Sequence, residues 1–214
     1  MPEKLTRKEA KERTRQNLLD ALMEVASKEG LAGLTTTKIA RCAGVAQSSF
    51  YFHFEDMNDA LRQAAEKMSE TIRTSVRLQR QKIDVNDPEN AVRSTYEAAI
   101  DGLLANPLMA ELLLSHRRDT SSPLGDTARE ILARSRREIA EDMRAMGLSE
   151  GVLPHHTTHA ALLLSMSLTS VEMLLDDPGA DRSEIIAALV HTTTAMITKA
   201  VHDAGEPART NTAL

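Results

Sequence analysis

Apolar positions in this chain return every third or fourth residue, the period of an α-helix with one buried face. Residues 6–29 set the pattern: Leu18, Leu19, Leu22, Val25 and Ala26 fall on one side, with Lys, Arg and Glu between them, and Gly30 closes the run. In LAGLTTTKIARCAGVA a short helix is predicted, with Thr36 or Thr37 as its cap and Ile39, Ala40 and Ala43 facing inward. Gly44 breaks it, Val45 and Ala46 make the turn, and QSSFYFH opens a second short helix. A long helix follows over 55–81, capped by Asp56. Beyond the NDP break come a helix over 88–105, a short apolar one in LMAELLLSHRR, and one from TAREIL to Gly147. The segments 155–175 and 183–201 are apolar on nearly every side. No stretch alternates with the period of a strand, so an all-α protein of about nine helices is expected. Three segments are predicted: a helix-turn-helix head (1–55), a helical ligand-binding and dimerisation body (56–205), and a flexible tail (206–214).

Composition sharpens this picture. Hydrophobic residues are 42% of the chain but aromatics only 2%, so Leu, Ala, Met, Ile and Val must fill the core, which favours helices. A single cysteine, Cys42, rules out a disulfide within the chain. The charged start MPEKLTRKEAKERTRQ lacks the apolar core of a secretion signal. The longest apolar stretch, AALLLSMSL, is far short of a membrane span of about 20 residues. A cytoplasmic protein with no membrane partner is expected. The net charge of −5 hides an asymmetry: residues 1–54 carry nine Lys and Arg against six acids, leaving +3 there and −8 elsewhere. A basic head on an acidic body suits a polyanionic partner.

Two short helices joined by a glycine-containing turn, after a longer helix, form a helix-turn-helix arrangement. The second helix must enter a major groove about 12 Å wide, so its exposed face needs small polar groups. Gln47, Ser48 and Ser49 supply them. All three Phe and one of the two Tyr lie in SFYFHF, residues 49–54. A head of about 50 residues has little core, and bulky rings close it efficiently. Phe50 and Phe54, four apart, are expected to share the buried face. Tyr51 and His53 are expected nearer the DNA, and Phe52 is left either facing a base edge or simply exposed.

LTTTKIARCAGVAQSSFYFHFEDMNDAL resembles the signature T-x-x-x-I-A-x-x-A-G-V-x-x-x-x-F-Y-x-H-F of the TetR family of transcriptional regulators. The resemblance implies DNA contacts from Thr36, Thr37, Lys38, Gln47, Ser48, Ser49, Tyr51 and His53. Most members open the fourth helix with a Lys that meets phosphate. Met57 stands there instead, so that contact is lost or passes to the helix N-terminus. S-F-Y-x-H-F-x-D-M is similar to the FabR/DesT branch, repressors that sense fatty acyl groups on coenzyme A or carrier protein. LLLSHRRDTS at 112–121 is similar to that branch's L-L-L-x-x-R-x-x-T-S, with Arg117 in the matched position. Ser115 and His116 depart from it.

In the body, the apolar segments 155–175 and 183–201 need neighbours on all faces. They are expected to pair with their copies in a homodimer, as a four-helix bundle. Such a dimer presents two reading helices to a palindromic operator in double-stranded DNA, about 34–36 Å apart. Middle helices are expected to enclose a hydrophobic small-molecule effector, with Met109, Leu112, Leu113, Met143, Met166 and Met173 as adaptable lining. His116 and Arg117 would meet its head group, or else cap helix carbonyls. His155 and His159, four apart, lack a third ligand, so no metal and no cofactor is expected. With no G-x-S-x-G, no glycine-rich phosphate loop and no Cys–His pair, the expected protein is not an enzyme. A repressor controlled by a long-chain fatty acyl compound, as the resemblance implies, is the favoured reading; the alternatives are a regulator of the same type sensing another hydrophobic small molecule and an all-helical lipid carrier.

Overall fold

A computed structural model describes residues 6–205; the expected tail at 206–214 lies outside the described residues. Among the described residues nine α-helices follow one another: α1 (Arg7–Glu29), α2 (Thr36–Cys42), α3 (Gln47–His53), α4 (Met57–Arg80), α5 (Glu89–Leu104), α6 (Pro107–Glu111), α7 (Pro123–Ala145), α8 (His156–Asp176) and α9 (Arg182–Gly205). A 3-10 turn (Leu31–Gly33) follows α1 and a π-helical turn (Leu112–His116) follows α6. The only extended pairing described is an isolated bridge between Asp84 and Asp87. The all-α expectation holds. Compact packing divides the chain into residues up to Glu70 with Ala105–Arg129, and Thr71–Leu104 with the residues from Glu130.

In the first unit, α1 starts with a capping box: the Thr6 hydroxyl accepts from the Glu9 backbone, and the Glu9 carboxylate accepts from the Thr6 N–H. Its apolar stripe buries Leu18 and Leu22 completely. The helix packs against α2 and α6. The cap of α2 is Thr35, whose hydroxyl accepts from the Lys38 N–H, and not Thr36 or Thr37. Three consecutive threonines offer the same side chain. Thr35 alone among them is described with extended backbone outside the helix, the geometry a cap requires. Asp56 does cap α4, accepting from the Asp59 N–H at 2.8 Å.

The short apolar helix expected at LMAELLLSHRR splits into α6 and the π turn. One nitrogen of the Arg117 guanidinium donates to the Leu113 and Leu114 carbonyls, each at 2.9 Å, satisfying groups that a widened turn leaves open. Asp119 then organises the loop into α7. Its carboxylate accepts from the Ser121 hydroxyl and backbone N–H, and these bonds, with help from Ser122, lower its pKa to about 2. The helix α7 begins at Pro123, four residues earlier than the pattern indicates. Proline there sets a helical φ and lacks only an N–H that a first turn leaves unused.

In the second unit, α5 packs on α9 and α8. The buried Tyr96 hydroxyl meets the Thr193 hydroxyl at 2.6 Å, so two polar groups satisfy each other inside an apolar contact. Arg80 and Arg73 tie the later turns of α4 to Asp142 (2.7 Å) and Glu138 on α7. His156, fully buried at the start of α8, has Nδ1 2.5 Å from Glu150 Oε1 and Nε2 bonded to the Leu148 carbonyl. The bond to His156 is the main reason the Glu150 carboxyl lies below its ordinary pKa.

By length and composition alone, α8 and α9 are apolar enough to cross a membrane, so the nine-residue apolar run understated them. They nevertheless bury Ser167, Ser170 and Thr193, and α9 exposes His191 and Lys199. Leu162, Met173 and Leu175 on α8 are about half exposed in the single chain. The exposed side of α9 carries small residues in helical succession: Ala187, Ala188, Thr192, Ala195 and Thr198.

Candidate nucleic-acid interface

The interface is assembled by a turn. After α2, the Val45 N–H bonds to the Ala40 carbonyl and the Gly44 N–H to the Arg41 carbonyl, the paired closure of a Schellman motif. That closure needs a left-handed residue, and Gly44 has φ +69°. The chain leaves at an angle that lets α3 pack beside α2 and set its aromatic face inward. Phe50 is fully buried, Phe54 nearly so, and their ring centroids stand 5.2 Å apart. The expected buried pair is therefore present. With that face fixed, the 3.6-residue period turns Gln47, Ser48 and Tyr51 outward, and all three are exposed. Ser49 and His53 are half-buried at its margins.

Gln47, Thr36 and Tyr51 form one chain of polar groups across the two helices. The Gln47 amide nitrogen donates to the Thr36 hydroxyl at 2.9 Å, and that hydroxyl lies 3.4 Å from the Tyr51 hydroxyl. Thr37 is exposed beside them. Lys38 is committed elsewhere: its ammonium donates to the Glu29 carboxylate and to the Gly33 carbonyl, tying α2 to the end of α1. It would have to exchange those partners to reach a phosphate. Phe52, which the pattern left unplaced, is two-thirds exposed, with the Lys11 ammonium 4.7 Å from its ring centre. This cation–π contact joins α1 to α3.

His53 sits within a basic neighbourhood. Burial first, and then Lys11 and Arg15, push its pKa below the ordinary imidazole value against a smaller opposing effect of Glu12. Its Nδ1 is buried without a hydrogen-bond partner. Cys42 is exposed and its thiol donates weakly to Glu24; burial and that carboxylate raise its pKa, so it is no ready nucleophile. At the start of α4, which opens on Met57, acids stand at the helix end. Asp56 caps it, and Asp59 accepts from the Glu55 N–H and from Arg62 and Gln63. Asp59 stays below its ordinary pKa because these hydrogen bonds outweigh burial.

The effector candidates fall in both compact units. In the first, Met109, Leu112 and Leu113 are buried, His116 is half-buried, and Arg117 holds the π turn. In the second, Met143 is buried, Met166 half-buried and Met173 about half exposed. His155 is exposed in a left-handed conformation, and its backbone N–H donates to Glu150. Among the described residues no group of three His, Cys, Asp or Glu side chains is placed to hold a metal.

Residues 18–64 match the family model described as bacterial regulatory proteins, tetR family. Solved structures share the fold over nearly their whole length. One, from Syntrophomonas wolfei and assigned to the TetR family of transcriptional regulators, superposes with a TM-score of 0.70 at 16% identity, covering 87% of this chain and 95% of its own. The fatty acid degradation regulator FadR of Bacillus halodurans gives 0.65 at 19% identity, over 86% and 97%. FadR of Bacillus subtilis, solved in complex with stearoyl-CoA, gives 0.61 at 19%, over 87% and 99%. Over residues 18–64 the chain is therefore similar to the tetR family of bacterial regulatory proteins, and the described chain shares the fold of these solved structures.

Proposed function

We propose that this protein is a cytoplasmic, DNA-binding transcriptional regulator, acting as a repressor whose hold on a palindromic operator is controlled by a long-chain fatty acyl compound. The observation that carries the reading is the division of α3: Phe50 and Phe54 fill the core while Gln47, Ser48 and Tyr51 stand exposed together. On that outer face Gln47, Ser48 and Tyr51 are short or planar hydrogen-bonding groups without charge, the kind that can pair with base edges. Thr37 and Ser49 flank this face. His53 and Lys38 lie at its edges, Lys38 reaching phosphate once it leaves Glu29.

Two copies would associate through α8 and α9. The half-exposed Leu162 and Met173 and the small-residue side of α9 support this, because apolar side chains of that size gain by being covered. The acyl effector is supported by the resemblance of LLLSHRRDTS to acyl-sensing regulators and by the stearoyl-CoA in the complex of B. subtilis FadR. Within the first unit, the buried Met109, Leu112 and Leu113 are the proposed apolar contacts. With Arg117 held by carbonyls, His116 is the better placed of the two head-group candidates. An effector shifts DNA occupancy only by binding the two states unequally.

The test is a gel shift on the DNA upstream of the protein's own gene, over a series of salt concentrations, with and without stearoyl-CoA. A sequence-preferring complex that weakens log-linearly with salt supports the regulator. A protein that binds stearoyl-CoA but no DNA is instead the lipid carrier. DNA binding indifferent to stearoyl-CoA and to free fatty acids removes the acyl part alone.

A further inference from the structure

We infer that Thr36 is a positioning residue that restricts what Gln47 can recognise, making it select adenine over guanine at one operator base pair. The inference rests on the DNA-binding reading above. A free glutamine side chain offers two N–H donors and one acceptor oxygen. It can therefore meet adenine with one donor and one acceptor, or guanine, whose major-groove edge is two acceptors, with both donors. Here one N–H is already given to the Thr36 hydroxyl, at 2.9 Å. What remains is one donor and one acceptor, the complement of adenine N7 and its N6 amino group. Guanine O6 would face the amide oxygen, acceptor against acceptor, unless the bond to Thr36 broke first.

Thr36 is suited to this role by its own surroundings. It is half-buried in the first turn of α2, beside α3, where the Gly44 turn brings the helices together. The Tyr51 hydroxyl lies 3.4 Å away and either oxygen could be the donor; in both cases the Thr36 oxygen keeps a lone pair for the Gln47 N–H. The branched Cβ of threonine also limits χ1, so on α2 its oxygen has few positions to choose from. Thr36 need not touch DNA to influence the sequence that is read.

The experiment begins with selection of binding duplexes from a randomised pool by the full-length protein. The selected duplex is then varied at each position, and affinities are measured by fluorescence anisotropy for the wild type and for Thr36→Val, Thr36→Ser, Tyr51→Phe and Gln47→Ala. Thr36→Val, nearly isosteric, removes the acceptor. It is expected to reduce adenine-over-guanine discrimination about tenfold at one position, the position where Gln47→Ala loses preference altogether. Its thermal unfolding should stay as in the wild type, and its loss of affinity for random duplex should be smaller than its loss of discrimination. Thr36→Ser should retain discrimination, and so should Tyr51→Phe, which leaves the Thr36 oxygen in place. Undiminished adenine preference in Thr36→Val overturns the inference, as does equal weakening on every sequence, which would mark a phosphate contact or a folding defect. A wild type that selects no sequence at all brings down the regulator reading itself, a result distinct from either.

Discussion

Single side chains in this protein take their roles from what is already bonded to them. Lys38 is the clearest case: the family resemblance makes it a DNA contact, yet Glu29 and the Gly33 carbonyl hold it. Position in a motif singled out the residue but said nothing of its partner, because Glu29 is nine places away and on another helix. The Gln47–Thr36 bond was hidden for the same reason, since eleven positions separate them. The burial of Phe50 and Phe54 was legible, because helical spacing alone places residues four apart on one face. His53 yields a pH prediction. Burial, Lys11 and Arg15 lower its folded-state pKa below that of the unfolded chain. Between those two values the unfolded chain binds the proton more readily, so stability rises with pH across that window. The contribution is complete above about pH 6.5 and is lost as pH falls through the folded-state value. Urea unfolding of the wild type at about pH 7.5 and about pH 5.5 should show this acid loss. His53→Gln, which cannot titrate, should show a smaller one. An equal loss in both proteins would assign the effect to other groups.

The order of helices followed closely from the apolar period, and departures gather at helix ends. The start of α7, the cap of α2 and the π turn after α6 all depend on who receives a backbone hydrogen bond, which a hydrophobic pattern does not encode. Two glycines of the first unit separate the two ways an element can need that residue. At Gly44 the need is conformational: φ is +69° and a Cβ would meet nothing within 4 Å. Gly44→Ala should therefore cost about 1–2 kcal/mol, the left-handed penalty of an ordinary residue. At Gly125 the need is steric. A Cβ there would fall 1.7 Å from the Asp119 carbonyl oxygen and 3.1 Å from that of His116, both backbone atoms. The Asp119 carbonyl also accepts from Arg129 at 2.6 Å, so moving it breaks a second contact. Gly125→Ala is expected to cost more than Gly44→Ala, roughly 3 kcal/mol by analogy with severe overpacking. Urea midpoints at constant m-value measure both. The reverse ranking would mean that the loop yields more easily than the turn.

At the scale of the whole molecule, the proposed regulator needs two reading helices on one duplex. A single module making a few groove contacts binds weakly, and joining two raises the effective concentration of the second at its half-site. The exposed side of α9 is the best candidate for that joining. Ala187, Ala188 and Ala195 keep it low enough for a partner helix to approach closely, and α8 of the same unit exposes Leu162 and Met173. Ala188 is the informative position. It is exposed in the single chain, so Ala188→Arg leaves the fold of each copy intact while placing a long charged side chain where a close helix contact would have to bury it. Sedimentation equilibrium should find the wild type dimeric and Ala188→Arg monomeric at the same concentration. Affinity for a duplex with both half-sites should then fall by about a hundredfold or more, while affinity for a single half-site stays unchanged. A dimer that survives the substitution places the interface elsewhere. A monomer that still binds the full operator as tightly as the wild type shows that the two modules do not act together, and the palindromic operator goes with them.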